Sequence, residues 1–480
     1  MKLAKSLFLA SVAALAAVSS ASAADLGGIK KPAPAEYVRV CNSYGAGFFY
    51  IPGTQTCLKI GGRARFEYEY VTPVNANDGN TGGSGFRSIG RLVLDARTQS
   101  EYGPVRAFVR IDTQYRTGRY ASGSSERYGL GFRTGGTVGA VGSGYAQKQT
   151  TVDLESAFVQ FAGFTAGRLA TFFDFGADQS FRGVGGSSQP GVYTVNQLAY
   201  TASFGSGFSA TIAVEDPVFR QQGIGYVTYD AFGAPTSLGA QSAAGKSYYG
   251  GNKVMPDIVG VLRVDQGWGA AQLSGVVHGV NYGYSANGVN PDTDYGYAIQ
   301  GGVKVNLPMI APGDNIQAQA TYGHGVVETV VAGYCGYSSL NICGNAVGKG
   351  GTFVGNLLAL DSVYTGTPAT GFRTKLTNSY GVMGYFTHYW TPTIRQNIGG
   401  AYAKVDYAGS TRIADFSLWT ASSALIWSPI AGLDIGGEIL YANIRGGSGF
   451  ALSGATVLTK ANGGGNEDQW QFRMRVQRDF

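Results

Sequence analysis

The sequence predicts an all-β fold, a 16-stranded antiparallel transmembrane β-barrel, and three observations lead to it. The last thirteen residues, Asp468–Phe480, alternate between an apolar set, broken only by Arg478, and a wholly polar set, and alternate residues of a strand point to opposite faces. Trp470 and Phe480 bracket the apolar face about 25 Å apart along the membrane normal, the height of an outer-membrane apolar band. Similar segments recur along the chain, joined by alternating long and short connections.

The composition agrees with a large β protein. Glycine accounts for 75 of 480 residues and aromatic residues for 12%, which excludes a disordered chain. Charged residues make up only 14%, well below the average of about a quarter. The formal charge of +6 falls to +4 without Lys2 and Lys5, and so mild an excess does not indicate a nucleic-acid partner.

The first 23 residues predict a signal peptide. Lys2 and Lys5 form a basic start, Leu7–Val18 is apolar, and Ala21-Ser22-Ala23 is a cleavage site. The mature chain is therefore expected to begin at Ala24 in an oxidising compartment. Residues 24–56 are interpreted as a periplasmic N-terminal segment and residues 57–480 as the barrel domain. No later apolar run is long enough for a helical membrane span.

Alternation of apolar and polar residues places sixteen strands after this segment. They lie near Leu58–Val71, Arg87–Gln99, Val105–Arg116, Thr150–Phe161, Phe164–Thr171, Tyr193–Phe204, Phe208–Glu215, Ile258–Asp265, Gly269–Val280, Tyr295–Asn306, Asn315–Gly323, Ser379–Trp390, Ile394–Tyr407, Phe416–Trp427, Leu433–Ile444 and Asp468–Phe480. The alternation is unclear in the fourth and thirteenth of these, which suggests β-bulges.

Long connections on one rim and short turns on the other are typical of outer-membrane barrels. The long loops are then extracellular and both chain ends periplasmic, in a protein integral to the bacterial outer membrane and surrounded by its lipid and lipopolysaccharide. A sixteen-stranded barrel is too wide for side chains to fill, so an aqueous lumen is expected.

Four cysteines allow three disulfide pairings. We predict the two local ones, Cys41–Cys57 and Cys335–Cys343, because the two pairs fall at opposite ends of the barrel. The absence of a C-x-x-C motif argues against zinc or thiol-redox chemistry, so structural disulfides are expected.

The third long loop is the candidate for a pore constriction. It contains Phe172, Phe173 and Phe175, and three phenylalanines within four residues favour burial against the inner wall. Asp174 and Asp178 are then placed to face the opening. The alternative is that these aspartates only cap the loop locally.

Arginines occupy the polar, lumen-facing set of the first three strands and of the last strand, which closes the barrel beside the first. The predicted basic pore wall consists of Arg63, Arg65, Arg91, Arg110, Arg473 and Arg475. Opposite acidic loop residues they produce a transverse field that orders water and tunes ion selectivity. The alternative is structural pairing with Glu67, Asp95 and Asp112 on the same faces.

No catalytic, metal or cofactor site is predicted. His278, His324 and His388 are far apart in sequence, and no motif brings a nucleophile and a base together. Asp292 and Asp294 are two acidic residues in a long loop, which is too little to indicate a cation site.

At this point the sequence resembles a known family, the general porins of alphaproteobacteria of the rhizobial type. The stretches that carry the resemblance are Tyr37–Cys41, Tyr50–Leu58, Phe158–Phe164 with Gly167-Arg168, Phe172–Phe175 and Arg478–Phe480. The resemblance implies a homotrimer that passes small hydrophilic solutes and ions passively, with the third loop inside the pore. It also implies that Phe480 is the signal for the barrel-assembly machinery, although Arg478 departs from the apolar residue often found two positions earlier.

Two other functions remain open. A sugar-selective channel of the same membrane is marked by a row of aromatic residues along the lumen. A secreted all-β adhesin places the apolar residues in a soluble core. An energy-coupled transporter is excluded, because its plug domain and about 22 strands do not fit this length.

Overall fold

The computed structural model describes residues 39–72, 83–118, 148–176, 181, 184, 187, 194–221, 224–229, 235–240, 255–282, 292–331, 360–367, 371–407, 415–446, 451–452 and 466–480. The predicted signal peptide, Asp178, Cys335 and Cys343 lie outside these residues. No helix in the described ranges has the length and apolarity needed to cross a membrane.

Sixteen strands of the described chain form a closed antiparallel barrel. They are β1 Cys57–Val71, β2 Gly83–Ser100, β3 Gly103–Gly118, β4 Lys148–Phe161, β5 Phe164–Ala170, β6 Thr194–Gly205, β7 Phe208–Glu215, β8 Asp257–Gln266, β9 Gly269–Val280, β10 Asp294–Asn306, β11 Asn315–His324, β12 Asn378–Thr391, β13 Ile394–Asp406, β14 Phe416–Ile430, β15 Leu433–Gly446 and β16 Asn466–Asp479. Each strand pairs with the next, and β16 closes the barrel on β1 from the pair Arg63–Asp479 to the pair Val71–Gln471. The predicted fold class and strand number are confirmed.

The two faces of the barrel wall have the polarity that a membrane requires. On β16, the apolar Met474 is 63% exposed whereas the polar Gln471 is 3% exposed. The same inversion holds on β1, where Phe66 is exposed and Glu67 is buried. Apolar residues outside and polar residues inside exclude the soluble β core of a secreted adhesin.

A β-bulge was predicted in the fourth and thirteenth strands. The structure has one in the fourth strand, but not within the thirteenth. Between β3 and β4, Arg110 pairs with Ser156 and Ile111 with Leu154, so Glu155 is the extra residue and its side chain points inward with that of Ser156. The register shift next to β13 lies in β12 instead, at Trp390. Within β13 the alternation was hard to read because small residues occupy both faces.

Short elements lie outside the barrel. A strand at Phe49–Tyr50 pairs with the start of β1, single 3-10 turns span Asn42–Tyr44 and Pro217–Arg220, and α1 is one turn at Glu328–Val331. Five short strands from three long loops form a second sheet; they are Ile224–Tyr229, Pro235–Ala240, Ser362–Thr367, Gly371–Leu376 and Ala451–Leu452. This sheet joins the fourth, sixth and eighth loops by backbone hydrogen bonds.

Candidate functional site

The third loop, residues 171–193, leaves the wall at the end of β5. Phe173 is fully buried in an apolar cluster against which Phe172 also packs. Apart from Val326, the other members are inward-facing residues of β6 to β10; they are Ala199, Ala213, Val259, Val261, Val276 and Ala298. The two phenylalanines thus cover the apolar surface that these five strands present to the lumen.

Inward-facing glutamines bind the backbone of the same loop. The Gln272 side-chain amide donates to the carbonyl oxygens of residues 172–174 at 3.1–3.3 Å. Gln300 accepts from the backbone N–H of Phe175 at 3.0 Å, and Gln319 accepts from the next N–H at 3.1 Å. These bonds satisfy loop backbone groups that would otherwise be buried without partners.

Inward-facing glycines make room for the loop side chains. A Cβ atom at Gly302 would lie 2.2 Å from the ring of Phe175, and one at Gly436 would lie 2.9 Å from the ring of Phe181. Neither distance is tolerable for a carbon contact, so the loop occupies space that only glycine leaves open.

Further along, the loop reaches the strands that close the barrel. The carbonyl oxygen of Phe181 accepts from Arg473 at 3.1 Å and from Arg475 at 2.9 Å. The guanidinium of Arg475 also lies 4.2 Å from the centre of the Phe181 ring. The backbone N–H of Val184 then donates to the Tyr385 hydroxyl at 3.0 Å. The described loop residues therefore contact inward-facing side chains from β6 round to β16.

A buried ion cluster, the Arg220 latch, fixes the foot of the loop. Arg220 comes from the fourth loop and binds Glu215 at 2.8 Å, Asp257 at 2.7 Å and the Thr171 hydroxyl at 2.9 Å. His278 contacts the other oxygen of Asp257 at 2.6 Å. Burial lowers the pKa of Arg220, but the two carboxylates outweigh it and raise the pKa above its ordinary value, so the guanidinium stays charged.

Sequence reasoning missed this latch. Arg220 lies 49 residues from Thr171, and nothing in its neighbourhood indicates an inward side chain. The available signal was Asp216-Pro217, which is typical of a helical turn start. Asp216 does accept from the backbone N–H of Val218 at 3.1 Å, and the turn ends on Arg220.

The six predicted wall arginines lie on the inner face, and each has a carboxylate partner. The pairs are Arg63–Asp479 at 2.5 Å, Arg65–Glu67 at 3.7 Å, Arg91–Asp112 at 2.7 Å, Arg110–Glu155, Arg473–Glu69 and Arg475–Glu67 at 2.5 Å. Six arginines face five carboxylates, and Arg87 adds a further positive charge on Glu67. This part of the inner wall therefore carries a net positive charge even though each arginine has a carboxylate partner.

The predicted acidic residues of the loop have a different setting. Asp174 is 5% exposed and lies in the packed first part of the loop, next to the buried Phe173 and Phe175. Asp178 is outside the described residues. The role of both as constriction acids stays a prediction.

The predicted Cys41–Cys57 disulfide is present, with the two Cα atoms 5.9 Å apart. It closes the N-terminal segment onto the first residue of β1. At the other end of the chain, the backbone of Phe480 forms two hydrogen bonds with Gly62 of β1. The role of Phe480 as an assembly signal stays a prediction.

The family follows from the sequence profile of the porin subfamily, which matches residues 28–471. The chain belongs to this subfamily. Porin Omp2b of Brucella suis is 33% identical over 57% of this porin, a match that spans 65% of Omp2b, just under two thirds. Porin Omp2b of Brucella suis biovar 1 (strain 1330) is 30% identical over 68% of this porin and 88% of that one.

A solved structure shares the fold. The outer membrane channel DcaP of Acinetobacter baumannii superposes with a TM-score of 0.54 at 14% identity, covering 90% of this porin and 99% of that chain. The porin is accordingly an integral β-barrel of the bacterial outer membrane. Its family indicates a channel rather than an enzyme.

Proposed function

We propose that this porin lets small hydrophilic solutes and ions diffuse passively through a water-filled lumen narrowed by the third loop. The observation that supports the proposal best is the series of contacts from Phe173 to Phe181 with inward-facing side chains. A barrel of sixteen strands leaves an aqueous channel, and an element that enters the lumen narrows this channel. A loop whose backbone is bonded to the inner wall is such an element.

We further propose that the constriction carries opposite charges on its two sides. The basic side consists of the arginines on β1, β2, β3 and β16. The acidic side consists of Asp174 and Asp178 on the loop. Charges facing each other across a narrow opening of low dielectric orient water and penalise apolar solutes, which must disrupt that water.

Planar-bilayer recordings test the channel and its acidic side. The wild type is expected to conduct KCl, and Asp174→Asn with Asp178→Asn is expected to move the reversal potential in a KCl gradient toward anions. Asp292→Asn is the matched control, because Asp292 is exposed in the fifth loop. A reversal potential that the double variant leaves unchanged would remove both aspartates from the constriction.

The assembly proposed for the porin is a homotrimer with long loops outside and both chain ends in the periplasm. Lipopolysaccharide then surrounds the long-loop rim, and Phe480 is read by the barrel-assembly machinery. Three equal closing steps after a single insertion are the expected record of a trimer. Single steps of full amplitude would indicate a monomer.

A further inference from the structure

Two aromatic rings face the lumen side by side on β3 and β4. Phe108 and Phe158 are directly paired in register, and their rings stack with centroids 5.0 Å apart and planes 22° apart. Both are half-buried, and Phe108 shares its face with the inward-facing Arg106 and Arg110. The wall of an aqueous channel does not need apolar rings, because they cost hydration there.

Guanidinium groups lie against these rings. Arg106 is 4.9 Å from the centre of Phe108 and 5.4 Å from that of Phe158. Its nitrogens are held by Asp95 at 2.9 and 3.0 Å and by Gln160 at 3.0 Å. These hydrogen bonds hold the cation in place beside the aromatic pair.

The same arrangement repeats on the next strand toward the N-terminal segment. Arg97 binds the same carboxylate, Asp95, at 2.8 and 3.0 Å. Its guanidinium is 5.0 Å from the ring of Phe48 and 5.7 Å from that of Tyr44. Two rings, two cations and two further rings thus follow one another in the aromatic–arginine belt, formed by Tyr44, Phe48, Arg97, Arg106, Phe108 and Phe158.

The belt carries positive charge that solutes can reach. Arg97 and Arg106 share one carboxylate, and their side chains are 28% and 27% exposed. Lys59 adds a cation. It lies opposite Asp95 in the strand register, and its ammonium group is 6.0 Å from the centre of the Phe48 ring. Phe48 is 5% exposed, so the part of the belt that a solute can reach consists of the half-buried rings and these cations. Such a surface is complementary to a ring that bears an anionic group.

We propose that the aromatic–arginine belt is a binding site for planar aromatic carboxylates on their way through the channel. The ring of the solute packs against Phe108, Phe158 and the Arg106 guanidinium, and its carboxylate lies near Arg97 and Arg106. The site rests on the proposed channel function and adds a solute preference to it. A neutral sugar lacks the charge that these cations attract.

The first test uses the wild-type porin in planar bilayers with KCl. Benzoate, cyclohexanecarboxylate and glucose are added separately, and the half-blocking concentration of the KCl current is measured for each. Benzoate is expected to block saturably at about two- to tenfold lower concentration than cyclohexanecarboxylate, the factor that one stacking contact supports. Equal block by the two acids, or stronger block by glucose, overturns the proposal. Absence of KCl conductance would contradict the channel itself.

The second test removes the rings. Phe108→Leu with Phe158→Leu is expected to bring the half-blocking concentration of benzoate to that of cyclohexanecarboxylate while the KCl conductance persists. Phe164→Leu is the control, because its ring is on the outer face of β5 and 52% exposed. Arg106→Gln is expected to weaken block by both acids. If the double variant retains the wild-type preference for benzoate, the belt is not the site.

Discussion

Arg220 in the fourth loop binds Asp257 at the start of β8 at 2.7 Å, with both side chains fully enclosed. Replacing Arg220 by Gln leaves two buried carboxylates without their cation, and breaking such a pair costs about 3–5 kcal/mol. The foot of the third loop loses its anchor as well. We therefore expect Arg220→Gln to lower the temperature of the heat-modifiable gel shift and to raise single-channel conductance and its noise.

Lys404→Gln is the matched control for this latch. Lys404 also forms a short ion pair, at 2.6 Å with Asp406, but both residues lie on the outer face of β13 and are partly exposed. Such pairs contribute about 0–1 kcal/mol, so a small effect is expected. If the Arg220 variant behaves like this control in both stability and conductance, the latch does not position the loop.

The glycine that faces Phe175 offers a test with a neighbouring control. At Gly302 an added methyl group meets the Phe175 ring at 2.2 Å, whereas at Gly301 it meets open space on the outer face. Gly302→Ala is expected to displace the loop and change the single-channel conductance, and Gly301→Ala is expected to leave it unchanged. Equal conductance in the two variants contradicts a loop packed on this wall.

The strands were predictable because a barrel wall repeats one simple rule. Sixteen alternating segments lay within a few residues of the observed strands, and Phe208–Glu215 and Gly269–Val280 agree at both ends. The inward direction of the arginines follows from the same alternation. Alternation cannot predict which carboxylate pairs with each arginine. Glu155, the partner of Arg110, is an example, because its inward position depends on a bulge.

The contacts of the third loop could not be predicted from the sequence for a related reason. Gln272, Gln300 and Gln319 are ordinary inward polar residues in the sequence, and Gly302 is one of 75 glycines. Their role appears only when the loop is placed against them. Three phenylalanines signalled that the loop needs burial, but not which strands receive it.

Removing charge from the last strand should alter ion selectivity. Arg473→Gln with Arg475→Gln deletes two positive charges of the inner wall and removes the arginine that binds Glu69. A shift of the KCl reversal potential toward cations is expected. Arg478→Gln, on the outer face of the same strand, should cause no shift. Equal reversal potentials in all three proteins would mean that these arginines only stiffen the wall.

The N-terminal disulfide should stabilise the start of the barrel. Cys41 and Cys57 are sixteen positions apart, and closing a loop of this length contributes about 3 kcal/mol in the chain-entropy description. Cys41→Ser with Cys57→Ser is expected to unfold at lower temperature than the wild type. Reduction should lower the unfolding temperature of the wild type more than that of the double variant, which keeps Cys335 and Cys343. An equal effect of the reductant on both proteins would contradict a contribution of the Cys41–Cys57 bond.

Asp314, in the short turn before β11, should make stability depend on pH. Burial raises the pKa of Asp314, but hydrogen bonds from His388 at 2.7 Å and from the Tyr389 N–H at 2.8 Å outweigh it and hold the pKa below its ordinary value. A lowered folded-state pKa gives stability that is fully present above the unfolded value, about 3.9, and is lost as pH falls through the folded value.

Asp314→Asn is therefore expected to unfold at lower temperature than the wild type at pH 7. The difference should shrink as the pH is lowered from 7 to below about 3.9, where the carboxyl becomes protonated in the unfolded and then in the folded protein. Unfolding temperatures measured across this range provide the check. A difference of constant size at every pH would show that the charge of Asp314 contributes nothing.

The contacts of Phe181 have a consequence for how the protein is put together. Both donors to its carbonyl group, Arg473 and Arg475, belong to the last strand of the chain, and Arg475 is held in turn by Glu67 of the first strand. A nascent barrel that still lacks β16 has neither donor. The contacts that hold Phe181 therefore form only once the last strand is in place, so this part of the third loop takes its final position when the barrel closes.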